Sequence, residues 1–411
     1  MISARDLYQS VGVNVHTLNA GTPETDGIAT GVVPVLIALG VRHVRAQLVP
    51  TDDWRFSQWG SAALKAFAST NIRLCTMLPD PKLEGESDVA WPTRLFDLLE
   101  SYGLHDLVDV WEGDNEPPDP VSLAGWYWTL KQELKSYPLL SQRVLGPVMP
   151  DDLSVVQRFK AAYPLSDPLT LADTHPYSAG KSQTFSNLDW QQAKADAYLL
   201  KSGLPMMATE FGFSCCPSTI GDDFPTTEAD AAEYTVRALI MHKLHGIQRT
   251  YVYQLHDNWP NYPQTGQAYY GLFKWANGKP WQPRLSALAI RNFLSIVGDA
   301  DTPLMPQPFV PSIAGATDAL HALPVQTSRS VQLWVTREVL SGAASQTLTL
   351  MRQGLPNFTN ARICYPAASC SLGGQGSDTP GVAQPKWFAL SPNSTSVQFA
   401  LGDRCAVIEL T

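Results

Sequence analysis

Two glutamates in this sequence stand where short apolar stretches give way to polar loops. One lies in Val110-Trp111-Glu112-Gly113-Asp114-Asn115-Glu116-Pro117-Pro118, the other in Met207-Ala208-Thr209-Glu210-Phe211-Gly212. Paired carboxylates converging on one bond are what glycosidic cleavage requires: one protonates the departing oxygen, and the other attacks the anomeric carbon or activates water. A single glutamate at a strand end more often caps the next helix or pairs with an interior arginine. Two in matching contexts favour catalysis by Glu116 and Glu210. Other polar residues that end apolar runs are His16, Arg45, His175 with Tyr177, and His256 with Asp257. Trp259 and Tyr262 follow the last such run, and Trp54 and Trp59 follow the second. Their faces suit the C–H side of a sugar ring, although packing explains any one tryptophan equally well.

Such residues need a scaffold that gathers them from distant parts of the chain. Residues 11–16, 43–49, 73–78, 107–112, 143–149, 169–174, 205–211 and 250–255 are short apolar runs without clean alternation, as expected of strands buried on both faces. Between them, 61–70, 92–102, 122–136, 190–201, 227–245 and, last, 285–297 carry apolar residues at helical spacing. Pro92-Thr93 and Thr226-Thr227-Glu228 are helix-start signals. Eight strands alternating with helices predict a (β/α)8 TIM barrel over 1–300, with its active site at the carboxyl ends of the strands. A doubly wound open sheet is the competitor, but no Gly-x-Gly-x-x-Gly follows any strand. After Gly298-Asp299-Ala300-Asp301-Thr302-Pro303 the helical period disappears. Residues 331–338, 346–351, 361–365, 386–390, 396–401 and 405–410 predict a small all-β, sandwich-like domain over 301–411.

Composition narrows the partners. The chain has 411 residues and a net charge of −9, without a Lys/Arg cluster, which argues against nucleic acid or an anionic membrane surface. No apolar run approaches the ~20 residues that span a bilayer. Met1-Ile2-Ser3-Ala4-Arg5 is followed by no apolar signal segment. Low lysine content and the Cys364/Cys370 spacing, which suits a small disulfide-closed loop or reduced thiols, lean toward a secreted or periplasmic protein, with the cytoplasm as the alternative. Cys215-Cys216 reads as free thiols or a vicinal disulfide. Asn357-Phe358-Thr359 and Asn393-Ser394-Thr395 match a glycosylation pattern too short to weigh.

Asn115-Glu116-Pro117 at the fourth strand, with Glu210 at the seventh, resembles the paired glutamates of the retaining glycoside hydrolases of clan A. The resemblance implies that Glu116 is the acid/base and Glu210 the nucleophile, on an oligosaccharide or polysaccharide. It implies that Arg45 lies near the nucleophile, that the Tyr177 hydroxyl of His175-Pro176-Tyr177 holds its carboxylate, and that Asn115 contacts the sugar 2-hydroxyl. Gly12-Val13-Asn14-Val15-His16, Leu39-Gly40-Val41-Arg42, and Tyr270-Gly271-Leu272-Phe273 with Lys279-Pro280 are most similar to family 39 and its bacterial relatives. Asp114 departs from the pattern, standing where such enzymes often carry Trp or Pro. Further substrate contacts are expected from His16, His256 and Trp259, and from Asp114 if it bonds a hydroxyl. Glu116 must begin protonated, a state that burial and neighbouring negative charge favour.

A metal-dependent hydrolase on the same barrel would need His-x-His on the first strand; Asn14-Val15-His16, His175 and Asp257 make an incomplete set. His242 and His245 read as an exposed helix face. No metal or cofactor is expected. A carbohydrate-binding barrel without turnover would have announced itself by a missing glutamate, and a transglycosylase shares every residue named.

Overall fold

A computed structural model describes residues 1–19, 22–78, 90–117, 119–148, 152–163, 171–199, 205–217, 220, 224–258, 265–276, 279–307, 309–351, 358–367, 385–392 and 396–411. Seven parallel strands form one curled sheet: Val11–Asn14, His43–Gln47, Arg73–Met77, Val108–Glu112, Ala172–Thr174, Met206–Phe211 and Arg249–Val252. The first pairs with both the second and the last, so the sheet closes there. At the fifth position two parallel bridges, Trp111 to Val144 and Leu145 to Leu171, complete the ring. Gly146-Pro147 explains why no longer ladder forms, since proline has no amide hydrogen to donate. This is the expected (β/α)8 barrel.

Buried Cys75, Val110, Leu145, Leu171, Met207 and Tyr251 pack together inside the ring. A side chain on Gly12 would collide with the Tyr251 ring, which accounts for glycine in the first strand. Outside, helices Ser61–Ala68, Ala90–Ser101, Ala124–Leu134, Phe185–Leu199, Glu228–Leu244 and Leu285–Val297 match the predicted segments to within a few residues. The Thr227 side chain caps Glu228–Leu244 by accepting from the Asp230 amide. Besides the short Ala4–Tyr8 and Pro23–Asp26, two longer helices among the described residues escaped the sequence reading. Val33–Leu39 is a continuous apolar run without a polar face, ended by Gly40 at φ +80°. Leu153–Ala162 begins at an Asp152 cap. Among the described residues, no helix is long and apolar enough to cross a membrane.

The C-terminal part is two packed sheets. Strands Leu320–Gln326, Val331–Arg337, Ala406–Leu410, Ala361–Cys364 and Trp387–Leu390 form one; Ile313–Ala314, Gln346–Met351 and Ser396–Leu401 form the other. Leu333, Val335, Leu348, Leu350, Val397, Phe399 and Ile408 fill the space between. All six predicted strands are present. Leu320–Gln326 was missed because Pro324 reads as a strand breaker. One outer strand of the larger sheet is Ile2–Ser3, parallel to Val325–Gln326.

Strand Val331–Arg337 is buried on both faces. Its Trp334 lies against Phe293 of helix Leu285–Val297, ring centroids 4.7 Å apart. The Gln332 amide donates to the Ile296 carbonyl at 2.6 Å. From helix Glu228–Leu244, the buried Arg237 guanidinium reaches the carbonyls of Arg337, Val339 and Asp403. That helix is covered on two sides, which corrects the exposed face expected for His242: it is buried and bonds Thr250 Oγ1 at 2.9 Å. Cys215 carries a free thiol, so the vicinal disulfide is not formed. Trp259, Tyr262, Cys370, Asn357 and Asn393 lie outside the described residues.

Candidate active site

Arg45, on the second strand, is the centre of the upper barrel. Its side chain is 2% exposed, and each of its nitrogens has a partner. Nε donates to Glu112 Oε2 at 2.7 Å, and Nη2 reaches the other Glu112 oxygen. Nη1 donates to Glu210 Oε1 at 2.7 Å and Asn14 Oδ1 at 3.0 Å, and Nη2 also to Asn115 Oδ1 at 2.7 Å. One guanidinium thus joins the ends of four strands, its planar fork matching Glu112 bidentately.

Glu210 is buried at the end of the seventh strand. The Tyr177 hydroxyl donates to its Oε2 at 3.1 Å, and His175 Nδ1 lies 3.7 Å from the same oxygen. Burial alone would raise this carboxyl. The Arg45 guanidinium, the His175 ring and the Tyr177 hydroxyl outweigh it and hold Glu210 below the ordinary carboxylate range. The Tyr177 phenol moves the other way, raised by burial and by the Glu210 charge.

Glu116 is different. Its side chain is 57% exposed, so the burial expected of it is absent. Its backbone is left-handed at φ +44°, a conformation that costs an L residue of order 1–3 kcal/mol and that proteins keep where geometry matters. Its Oε1 lies 2.7 Å from His175 Nδ1. The other His175 nitrogen, Nε2, lies 3.0 Å from Thr209 Oγ1, which donates to Asp173 Oδ1 at 2.7 Å. Burial disfavours a charged His175, but the bond to Glu116 and the charges of Glu210 and Asp173 prevail and raise its pKa. Carboxylate and ring donor atoms of Glu116, His175 and Glu210 all come within 4.8 Å of one another. Arg45 and the His175 bond already engage these atoms, and we assign them no metal.

The remaining expected residues divide. Asn115 is exposed, with its oxygen held by Arg45 and its NH2 left for a hydroxyl. Asp114 is half-buried beside it. His16 stands edge-on to Tyr253, ring centroids 5.7 Å apart, and burial lowers its pKa, leaving a neutral ring close to Glu210. His256 is turned away from this cluster: Nδ1 meets the Asp257 carbonyl and Nε2 the Pro280 carbonyl, clamping the hairpin of Phe273–Ala276 and Lys279–Pro283. Asp257 is likewise engaged, by the Gly271 amide and Arg284. Trp54 is 64% exposed, edge-on to Trp59 at 5.6 Å.

Sequence reasoning passed over Asn14, Glu112, Asp173 and Thr209, each a polar residue inside or ending an apolar run. That contradiction was the available signal. Tyr253 and Tyr270 have rings that link His16 to Tyr177 in edge-on contacts; Tyr270 entered only as part of a family-like motif, and Tyr253 carried no signal beyond being aromatic.

No family model and no curated protein matches the chain. Solved structures do. A monomeric β-xylosidase from Caulobacter crescentus CB15 aligns over 98% of this chain and 96% of its own, with 14% identity and a TM-score of 0.56. The family 51 α-L-arabinofuranosidase AbfB from Bifidobacterium longum aligns over 100% and 96%, with 11% identity and a TM-score of 0.63. The catalytic domain of GH30 xylanase C from Talaromyces cellulolyticus aligns over 97% and 96%, with 12% identity and a TM-score of 0.55. At these identities the likeness is one of fold, and it extends through the C-terminal sheets.

Proposed function

We propose that the protein is a retaining glycoside hydrolase of the clan A type, with Glu210 as nucleophile and Glu116 as acid/base. The observation that carries this reading is the approach of two strand-end carboxylates to within 4.8 Å. Retaining pairs stand about 5–5.5 Å apart, whereas inverting pairs need roughly 6.5–9.5 Å to admit a water between them. The two environments also differ in the required sense. Glu210 is buried against a guanidinium and kept ionised; Glu116 is exposed to an incoming substrate and touches an imidazole.

The steps follow from this asymmetry. Glu210 attacks the anomeric carbon while Glu116 passes its proton to the departing oxygen. Glu116, now a carboxylate, takes a proton from water, which attacks the same carbon and releases Glu210. Arg45 and Tyr177 steady the Glu210 charge before attack and receive it again on release. The structural neighbours act on xylosides, xylan and arabinofuranosides, which makes pentoside-containing glycans the first substrates to try. Membership of family 39 rests on the short motifs named above.

The test is hydrolysis of aryl β-xylosides, other β-glycosides, α-L-arabinofuranosides and xylo-oligosaccharides. Glu210→Ala is expected to lose turnover. Glu116→Ala is expected to lose it on poor leaving groups and to recover with azide, giving a glycosyl azide of retained configuration. Activity that survives Glu210→Ala and disappears with a chelator sinks the assignment in favour of a metal hydrolase.

A further inference from the structure

The exposed Glu116 poses a problem for its own role: an acid that solvent can reach has no burial to keep its proton. The groups behind it supply another means. Asp173 Oδ1 accepts the Thr174 amide at 2.7 Å as well as the Thr209 hydroxyl. Burial and the Glu112 charge push the Asp173 carboxyl up to about 8. Because Oδ1 is taken by these two donors, its proton belongs on Oδ2. The single Thr209 hydrogen is therefore spent on Asp173 Oδ1, and the Thr209 oxygen faces His175 Nε2 as an acceptor. His175 must then carry a hydrogen on Nε2. In the neutral ring that leaves Nδ1 as a lone pair aimed at Glu116 Oε1, 2.7 Å away.

We propose that Thr209 and Asp173 are positioning residues that fix the Nε2–H tautomer of His175, so that one proton is shared between His175 Nδ1 and Glu116 Oε1. This deepens the hydrolase reading and rests on it. The shared proton sits on either side of one hydrogen bond, as imidazolium with carboxylate or as neutral imidazole with carboxylic acid. When the glycosidic oxygen departs it takes that proton, leaving Glu116 ionised and His175 neutral with Nε2–H unchanged. In the second half-reaction Glu116 recovers a proton from water, and the pair is reset. The titratable and charged groups facing the pair are Glu210 from the seventh strand, Arg45 from the second and Asp173 from the sixth, its carboxyl pushed up to about 8 by burial, with the Tyr177 phenol alongside.

Without the Thr209 hydroxyl the ring is free to hold its hydrogen on Nδ1. It then donates to an ionised Glu116, and the acid form is lost at lower pH. In Thr209→Val the alkaline limb of kcat/KM for a glycoside with a poor leaving group is expected to fall by about half to one pH unit, the support that one neutral hydrogen bond provides. A dinitrophenyl glycoside, which leaves without a proton, should show no such shift in its kcat/KM profile, and Thr209→Ser should keep the wild-type profile. By nitrogen NMR, with His175 assigned through its loss in His175→Gln, wild type and Thr209→Ser show Nε2–H and Thr209→Val shows a mixture. Thr209→Ala gives the same readouts if valine does not fit. An unmoved alkaline limb, or an unchanged tautomer in both variants, overturns the proposal. If the wild-type protein cleaves no glycoside, the hydrolase reading fails by itself and the NMR comparison still decides the tautomer.

Discussion

Replacing Arg45 by methionine removes the one cation that both Glu112 and Glu210 share, and keeps most of the volume. Both carboxylates are buried, at 2% and 7% exposure, and the guanidinium meets them through three hydrogen bonds. Breaking a buried ion pair from one side costs about 3–5 kcal/mol, because the partner charge is stranded. Here two are stranded close to one another. Catalysis should register the same change. Burial raises Glu210 and Arg45 is the strongest influence against it, so in Arg45→Met the acid limb of kcat/KM should climb by roughly 1–3 pH units. The linkage has a definite sign. In the wild type the lowered Glu210 contributes stability above the ordinary carboxylate pKa, and this is lost as pH falls through the folded value. In the variant the Glu210 carboxyl is raised by burial, so the folded state holds the extra proton and stability falls as pH rises. The deficit relative to wild type should therefore be small near pH 4 and largest near pH 7. Denaturant unfolding at the two pH values, with a pH–rate profile on one aryl glycoside, measures both effects. Arg45→Lys keeps a charge but not the fork, and should fall between. Wild-type stability at neutral pH together with an unmoved acid limb in Arg45→Met would refute the reasoning.

Three further outcomes are expected. Tyr177→Phe removes the hydroxyl on Glu210 Oε2; kcat/KM should drop about tenfold and the acid limb rise by less than a unit, at the scale of one hydrogen bond to a charged group. Burial pushes His242 down to about 3, so the unfolded chain protonates first and stability falls as pH drops below the ordinary histidine value. The loss should approach ~1.4 kcal/mol per pH unit, and His242→Asn should flatten it in melts run between pH 7 and 5. Trp334→Ala empties the contact with Phe293 and should destabilise the protein by about 3–5 kcal/mol in denaturant titrations, leaving KM unchanged.

Much of the barrel could be read from the chain because strands buried on both faces leave an apolar run, and helices on the outside leave a period. The fifth position shows the limit. Val144-Leu145 looked like any other run, yet Gly146-Pro147 allowed only isolated bridges. Val33–Leu39 was invisible for the opposite reason: its outward positions, Pro34, Ile37 and Ala38, are themselves apolar, so no polar face reveals a helix. At the site, Glu116, Glu210, Arg45, His175 and Tyr177 were legible as polar ends of apolar runs. Their division of labour was not. The exposure of Glu116 and the link from His175 through Thr209 to Asp173 depend on how neighbouring strands are staggered, and no spacing within one strand encodes that. His256 illustrates the converse, a strand-end polar residue whose ring is taken by the backbone of a hairpin.

The pairing of Ile2–Ser3 with Val325–Gln326 has a bearing on how the protein is made. Ile2 and Ser3 cannot take their place until the strand they lie beside, more than three hundred residues later in the chain, has been synthesised. At about 5–20 residues per second, that interval is on the order of a quarter of a minute to a minute. Through it the strands and helices that follow can assemble while their own leading segment waits undocked. Bulk attached close to Ile2 would sit at the rim of the larger C-terminal sheet, and should be felt in refolding yield before it is felt in turnover.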